Sequence, residues 1–309
     1  MANESTLSTA AEFTYGSVID ILSFAMMEEI RPAMVMAQFA KQYDISGQPS
    51  NVLDIPILND TGGASSLSEA SGASNTAINP TEVSVTAGKY VQNYDLTDEL
   101  LASQFWSPVN IGSFVDGMVP AEVVSKLLPY AQVAGRALTE AIETQLTALL
   151  GSHTNTVGSL GVNLSHTNFI TAIYTLDNAD AKGRKVSILH PIQISDLRVA
   201  LGVGTTSTSP LVNKQAENFI NDNPNYGFAG NLLGVDVYQS SLVPTTHTAA
   251  DRAGGMFIDQ MTYALAFKWF PKIELSRTPK SFLSSLTGSV NFGVGEVRDT
   301  FGVSIITDA

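Results

Sequence analysis

The chain has 309 residues, 44% of them hydrophobic and only 15% charged, with no cysteine and a net charge of −13. That length suits about two compact units, and the missing cysteine excludes disulfides, thiolate metal sites and cysteine nucleophiles. The acidic balance argues against holding nucleic acid by clustered Lys and Arg, though not against a container whose contents are DNA.

A charge fraction below the ~25% of ordinary soluble domains suits a protein surrounded by copies of itself, and also a low-charge secreted β protein. Residues Met1 to Tyr15 are small and polar and read as an extended arm. Met1 to Ala11 has no basic run followed by an apolar core, so no signal peptide is expected there. Val18, Ile21, Leu22, Ala25 and Met26 recur at helical spacing, which predicts a short amphipathic helix closed by Arg31-Pro32. Val18 to Met27 is too short and too charged to span a bilayer.

Val52 to Leu58 and Glu82 to Ala87 read as two strands. Between them, Thr61 to Pro80 is almost wholly Gly, Ala, Ser, Thr and Asn, with Leu67 and Ile78 its only large apolar residues. Such a stretch cannot build a core of its own, and an isolated two-stranded ribbon is marginal in water. Pro56 belongs on an edge because it lacks an N–H. The pattern predicts a long hairpin arm that needs something to lie on; a surface hairpin with a disordered tip is the other reading.

From Pro120 to Leu150, apolar residues recur in steps of three and four, including Leu127, Ala131, Ala134, Leu138, Ile142 and Leu146. They predict one amphipathic helix of about 46 Å, with Pro120 suited to its first turn and Gly151 to its stop. Pro129 is expected to kink or split it. Beyond Gly151 the chain reads as mixed α/β: a helix at Phe169 to Asp177, a strand at Lys185 to Leu189, a helix at Pro191 to Leu201, then a loop from Gly202 to Pro210. Strands are expected at Gly234 to Gln239, Met256 to Asp259, Ala264 to Trp269 and Ile273 to Arg277, with a helical turn in Gln260 to Phe267 as an alternative. Ser289 to Val297 and Thr300 to Ile306 read as a terminal strand pair.

No residues assemble into a recognisable catalytic motif. His153, His166, His190 and His247 form no paired-His helix face and read as surface or turn residues. There is no GxSxG elbow and no phosphate-binding GxxxxGK[ST] loop; the glycine pairs Gly202/Gly204 and Gly293/Gly295 each lack the third glycine of a dinucleotide fingerprint. Asp177 and Asp180 lack the spacing of a calcium loop and suit a turn before Gly183. Neither a cofactor nor a metal is expected.

The order of these pieces resembles the major capsid proteins of tailed double-stranded DNA phages, the Hong Kong 97-like fold. "YDLTDELL" (Tyr94 to Leu101), "SILHPIQISDLRVAL" (Ser187 to Leu201), "LLGVDVYQSSLVP" (Leu232 to Pro244), "GMFIDQMTYALAFKWFPKIELSRTP" (Gly255 to Pro279) and "FGVGEVRDTFGVSI" (Phe292 to Ile305) carry it. The resemblance implies an α+β fold with an N-terminal arm at 1–50 and an extended hairpin loop at 51–94. It further implies a peripheral domain at 95–184 holding a spine helix at 120–150, a mainly axial domain at 185–277, and closing strands at 278–309 that return to the peripheral domain. It implies a non-enzymatic shell protein that self-assembles into pentamers and hexamers around phage DNA, without sequence-specific binding and without a membrane. Scaffolding and portal proteins, and a decoration protein, are the implied partners; the implied location is the virion, assembled in host cytoplasm. Cross-linking members need a Lys on the extended loop, and no Lys or Arg occurs between Lys41 and Lys89; no cross-link is carried over.

Within that reading, acids on the arm should meet bases across a subunit boundary, because like charges laid together cost energy. Asp60, Glu69 and Glu82 are the candidate acids, Lys126 and Arg136 the candidate bases, and Leu67 and Ile78 the candidate apolar anchors. An encapsulin-type compartment of the same fold and a secreted β-rich surface protein are the competing readings.

Overall fold

The computed structural model describes residues 12–14, 19–27, 34–58, 66, 80–97, 99–100, 118–201, 227–245 and 251–308. In chain order the first strands are β1 (Glu12–Thr14), β2 (Lys41–Asp44), β3 (Val52–Ile57), β4 (Thr81–Thr86), β5 (Gly88–Thr97), β6 (Met118–Pro120) and β7 (Thr156–Gly158). The later ones are β8 (Lys185–Leu189), β9 (Phe228–Leu232), β10 (Val235–Gln239), β11 (Arg252–Ile258), β12 (Tyr263–Thr278), β13 (Leu283–Glu296) and β14 (Gly302–Thr307). The helices are α1 (19–27), α2 (Ala121–Ala148), α3 (His166–Asn178) and α4 (Pro191–Ala200). The mixture is α+β, as expected. No helix among the described residues is long and apolar enough to cross a membrane.

The long helix forms where its apolar spacing placed it. Leu127, Ala131, Ala134, Leu138, Ile142 and Leu146 make one buried stripe, which lies across the sheet β2-β12-β13-β5. Pro129 neither splits nor ends α2. Its ring is exposed, so the hydrogen bond it cannot make is lost on the side where water can replace it. Helix α1 crosses α2 at Gly135, where a Cβ would come within 2.8 Å of the Met26 carbonyl oxygen. A side chain at 135 would push the two helices apart.

The strands expected at Ala264 to Trp269 and Ile273 to Arg277 are one strand, the 16-residue β12, and no helical turn intervenes. Its pairing with β13 slips between Phe267 and Lys272, around Pro271. A bulge absorbs the residue that cannot donate to the ladder. The expected terminal strand pair is not a pair. β13 runs between β12 and β5, whereas β14 lies between β11 and β7 in a second sheet. Both segments are buried on both sides and need two neighbours each, which their apolar pattern alone does not name.

That second sheet has the order β7-β14-β11-β8-β10-β9. Helices α3 and α4 cover it with Phe169, Ala172, Leu176, Ile194 and Leu197, forming a separate core with Val235, Val237, Met256, Ile258, Val303 and Ile305. Ser165 caps α3, and His190 with Gln193 makes a capping box on α4. The hairpin strands β3 and β4 pair from Val52↔Thr86 to Ile57↔Thr81. Their base is held by a small cluster of Ile55, Val85 and Ala87 with Ile45, Ala264 and Ala266. From Gly88 onward the returning chain is already strand β5, paired to β13 as far as Thr97.

Candidate functional site

The candidate contact residues are only partly placed. Asp60, Leu67, Glu69 and Ile78 lie outside the described residues, as does the side chain of Lys126. Glu82 is exposed on β4, opposite Pro56. Arg136 is exposed on the solvent side of α2, one turn from Val133, which is 49% exposed. Glu82 and Arg136 therefore both face outward from the single chain.

Large apolar side chains also stand in solvent. Tyr174 on α3 is 66% exposed, Val199 on α4 70%, and Phe282 at the β12–β13 turn 68%. Ile170, Ile192 and Phe270 add to them. Scattered apolar exposure is normal; here it recurs on both covering helices and at the tip of the longest hairpin, surfaces suited to partners.

A buried polar cluster surrounds His153, just past α2. The ring is buried, and its Nδ1 lies 2.9 Å from Glu296 Oε1 and 3.6 Å from Asp299 Oδ1. Its Nε2 meets the Tyr263 hydroxyl. Burial, and then the nearby Glu296 and Asp299, push the Tyr263 pKa well up, so the phenol keeps its proton. A ring proton on Nδ1 donates to the Glu296 carboxylate and leaves Nε2 to accept from the phenol. Ser152 Oγ donates to Glu296 Oε2 at 2.7 Å, and the Thr154 N–H donates to Asp299 at 2.8 Å. A Cβ on Gly302 would sit 2.1 Å from the ring, so the ring needs glycine there.

His153, Glu296 and Asp299 bring their ligand atoms within 4.8 Å of one another. Both ring nitrogens are nevertheless engaged, and the Ser152 hydroxyl reaches the carboxylate rather than the ring. The arrangement makes a structural tie; it presents neither an activated nucleophile nor an open ligand position. His153 was expected at a surface or turn and is instead buried. Its partners lie 110 and 143 residues away in sequence, so no local spacing signals them.

A second buried polar contact pins the N-terminal segment to α2. Glu143 is 1% exposed, and its carboxylate accepts the Met36 N–H at 3.1 and 2.9 Å and the Ala37 N–H at 3.1 Å. Burial pushes its pKa up, and the backbone donors only partly oppose that. Of the two acids expected in a turn, Asp180 is in one, with φ 52°, whereas Asp177 lies in the last turn of α3; Asp177 pairs with Lys185 and Asp180 with Lys182.

No family model and no curated protein matches the chain. Solved structures do, and they define its class: the chain has the Hong Kong 97-like capsid fold. It is similar to a chain of Mycobacterium phage Che8 at 16% identity and TM-score 0.60, over 99% of this chain and 95% of that one. It is similar to the capsid of Ralstonia phage GP4 at 10% identity and TM-score 0.62, over 100% and 94%. A virus-like particle from Pyrococcus furiosus matches at 8% identity and TM-score 0.56, over 93% and 98%.

Proposed function

We propose that this chain is the major capsid protein of a tailed double-stranded DNA phage, a structural protein that closes with its own copies into an icosahedral shell of pentamers and hexamers. The observation that carries this is fold likeness along nearly the whole length of both this chain and the phage structures it resembles. A hairpin whose base is held by a small apolar cluster supports it, as do apolar residues exposed on α3, α4 and the β12–β13 turn. In this reading α2 and the four-stranded sheet form the peripheral domain, and the six-stranded sheet with α3 and α4 forms the axial domain. The extended loop expected at 51–94 is shorter in this reading, because residues 88–97 belong to β5 of the four-stranded sheet. Scaffolding, portal and decoration proteins are partners, the wall encloses DNA without reading its sequence, and the shell is assembled in host cytoplasm. No step of catalysis is assigned to the chain.

Electron microscopy and light scattering of the purified native protein test this. Closed particles of megadalton mass are expected; a monodisperse 32.8 kDa species as the sole native form would refute it. One alternative is an encapsulin-type compartment of the same fold. Nuclease-protected nucleic acid in the particles supports the phage reading, and a co-purifying enzyme supports the compartment.

A further inference from the structure

We propose that the pocket between the hairpin base and the β13–β14 crossing receives a carboxylate from a neighbouring copy of this chain, an inference that rests on the capsid reading. The cavity measures about 280 Å³ and is walled by Lys41 and Tyr43 of β2, Pro56 of β3, Tyr263 of β12, and Arg298 and Phe301 of the crossing. That is just below the ~300–1,000 Å³ of small-molecule sites, a size for a side chain rather than a ligand of drug dimensions.

Its charge is the exception in this protein. The chain has 29 acids against 16 Lys and Arg, yet the pocket lining contains two cations and no acid. Both cations lie over ring faces, Lys41 Nζ 5.3 Å from the Tyr43 centroid and the Arg298 guanidinium 5.1 Å from that of Phe301. Neither makes an ion pair among the described residues, unlike Arg184, which is 2.7 Å from Asp236. Two exposed cations beside apolar walls suit one incoming carboxylate, and the surface that another copy presents is acidic on average. A polynucleotide is disfavoured, since two cations in a chain of net charge −13 neutralise too few phosphates. The floor of the pocket is Tyr263, whose hydroxyl is bonded to His153. A carboxylate seated there would therefore brace one copy's hairpin base against the next copy, at the point where the two sheets of the subunit meet.

Zero-length carbodiimide coupling on intact particles tests this, because it joins an amine only to a carboxylate already in contact. The expected product is a two-chain band on a denaturing gel, in which peptide mapping finds Lys41 amide-bonded to an Asp or Glu of a second chain. Lys41→Arg keeps the charge but not the primary amine; it should lose that band and keep wild-type particle yield. Lys41→Glu with Arg298→Glu should lower particle yield roughly tenfold or more, since like charges facing across an interface are strongly disfavoured. Both side chains are exposed, so the free variant subunit should retain the wild-type circular dichroism spectrum and thermal midpoint. Particles in which Lys41 couples to nothing, couples only within its own chain or cross-links to nucleic acid would overturn the proposal alone. So would normal particle yield from the doubly reversed variant. A wild-type chain that forms no particles would overturn the capsid reading itself.

Discussion

Replacing Glu143 by alanine tests whether a buried carboxylate holds the N-terminal segment on α2. The substitution removes the acceptor of the Met36 and Ala37 N–H groups and leaves two buried donors without a partner. Each such donor costs about 1–3 kcal/mol, so the gross loss is about 2–6 kcal/mol. Part is recovered because burial penalises the charge, as the raised pKa shows; a net loss of about 2–4 kcal/mol is expected. Glu143→Gln keeps one acceptor oxygen but turns an amide donor toward a second donor, and should cost about half as much. Urea unfolding of the free subunit gives the total. Hydrogen exchange gives the location: the Met36 and Ala37 amides should exchange roughly 30-fold faster in the alanine variant, 2 kcal/mol being about that factor. The pH dependence has a definite sign. A raised folded-state pKa means that the native chain binds the proton more tightly than the unfolded chain. This group's contribution to stability is therefore largest at acid pH and declines as pH rises from the ordinary glutamate range through the raised value. Glu143→Gln should flatten that slope. Unchanged exchange at residues 36 and 37, with stability within about 0.5 kcal/mol of wild type, the scatter expected of surface substitutions, would refute the reasoning.

Further substitutions probe the tie, the hairpin tip and the arm charges. Gly302→Ala places a methyl 2.1 Å from the His153 ring, so the ring must move and the thermal midpoint of the free subunit should fall, by about 1–3 kcal/mol of overpacking plus the lost hydrogen bonds. Leu67→Asp should weaken particles more than Ser66→Asp, although both add one charge, because exposed ion pairs give only ~0–1 kcal/mol and apolar burial gives more; equal urea resistance of the two particles would count against an anchoring tip. Asp60→Lys combined with Glu69→Lys should impair assembly without unfolding the subunit, and normal particles from that variant would remove arm acidity from the account. Particles boiled in detergent should run as one band near 32.8 kDa, since the chain has no cysteine and no Lys between residues 41 and 89; a ladder would show a covalent bond of another kind.

Local order was legible where one period dominates. Strand Lys185–Leu189 and the helix beginning at Pro191 are found where the residues place them, because a short apolar run before a proline-led amphipathic stretch leaves little choice. The long helix was legible for the same reason, and Pro129, on its exposed face, does not split it. Strand partnership was not legible. Ser289 to Val297 and Thr300 to Ile306 are near neighbours in sequence, yet they join different sheets, and pairing depends on edges that distant segments leave open. Strands β2, β7 and β9 went unread: they have four, three and five residues and, unlike the five-residue Lys185–Leu189, carry no apolar run to mark them. The same limit hid His153: one histidine carries no period, and its meaning comes from Tyr263 and Glu296, which only the fold brings near.

Those hidden contacts occupy a particular place. The chain passes between its two main sheets at the end of α2, between β11 and β12, and between β13 and β14. Ser152, His153 and Thr154 lie at the first passage, Thr262 and Tyr263 at the second, and Glu296 and Asp299 at the third. The hydroxyl of Thr262 closes the set, accepting from the Ile258 N–H at 3.2 Å and donating to the Phe301 carbonyl at 3.0 Å. The Val297 N–H reaches back to the Thr262 carbonyl at 2.8 Å. Apolar packing also spans the sheets, since Val186, Ile188 and Phe257 share a core with Leu286 and Val290. That packing is non-directional and fixes proximity better than angle. Hydrogen bonds weaken steeply as they bend, and buried ones leave costly orphans when broken. The angle between the sheets is thus held in part by directional bonds gathered at the passages. On the capsid reading proposed above, a subunit repeated through a closed shell needs directional contacts at these passages as well as apolar packing in either core.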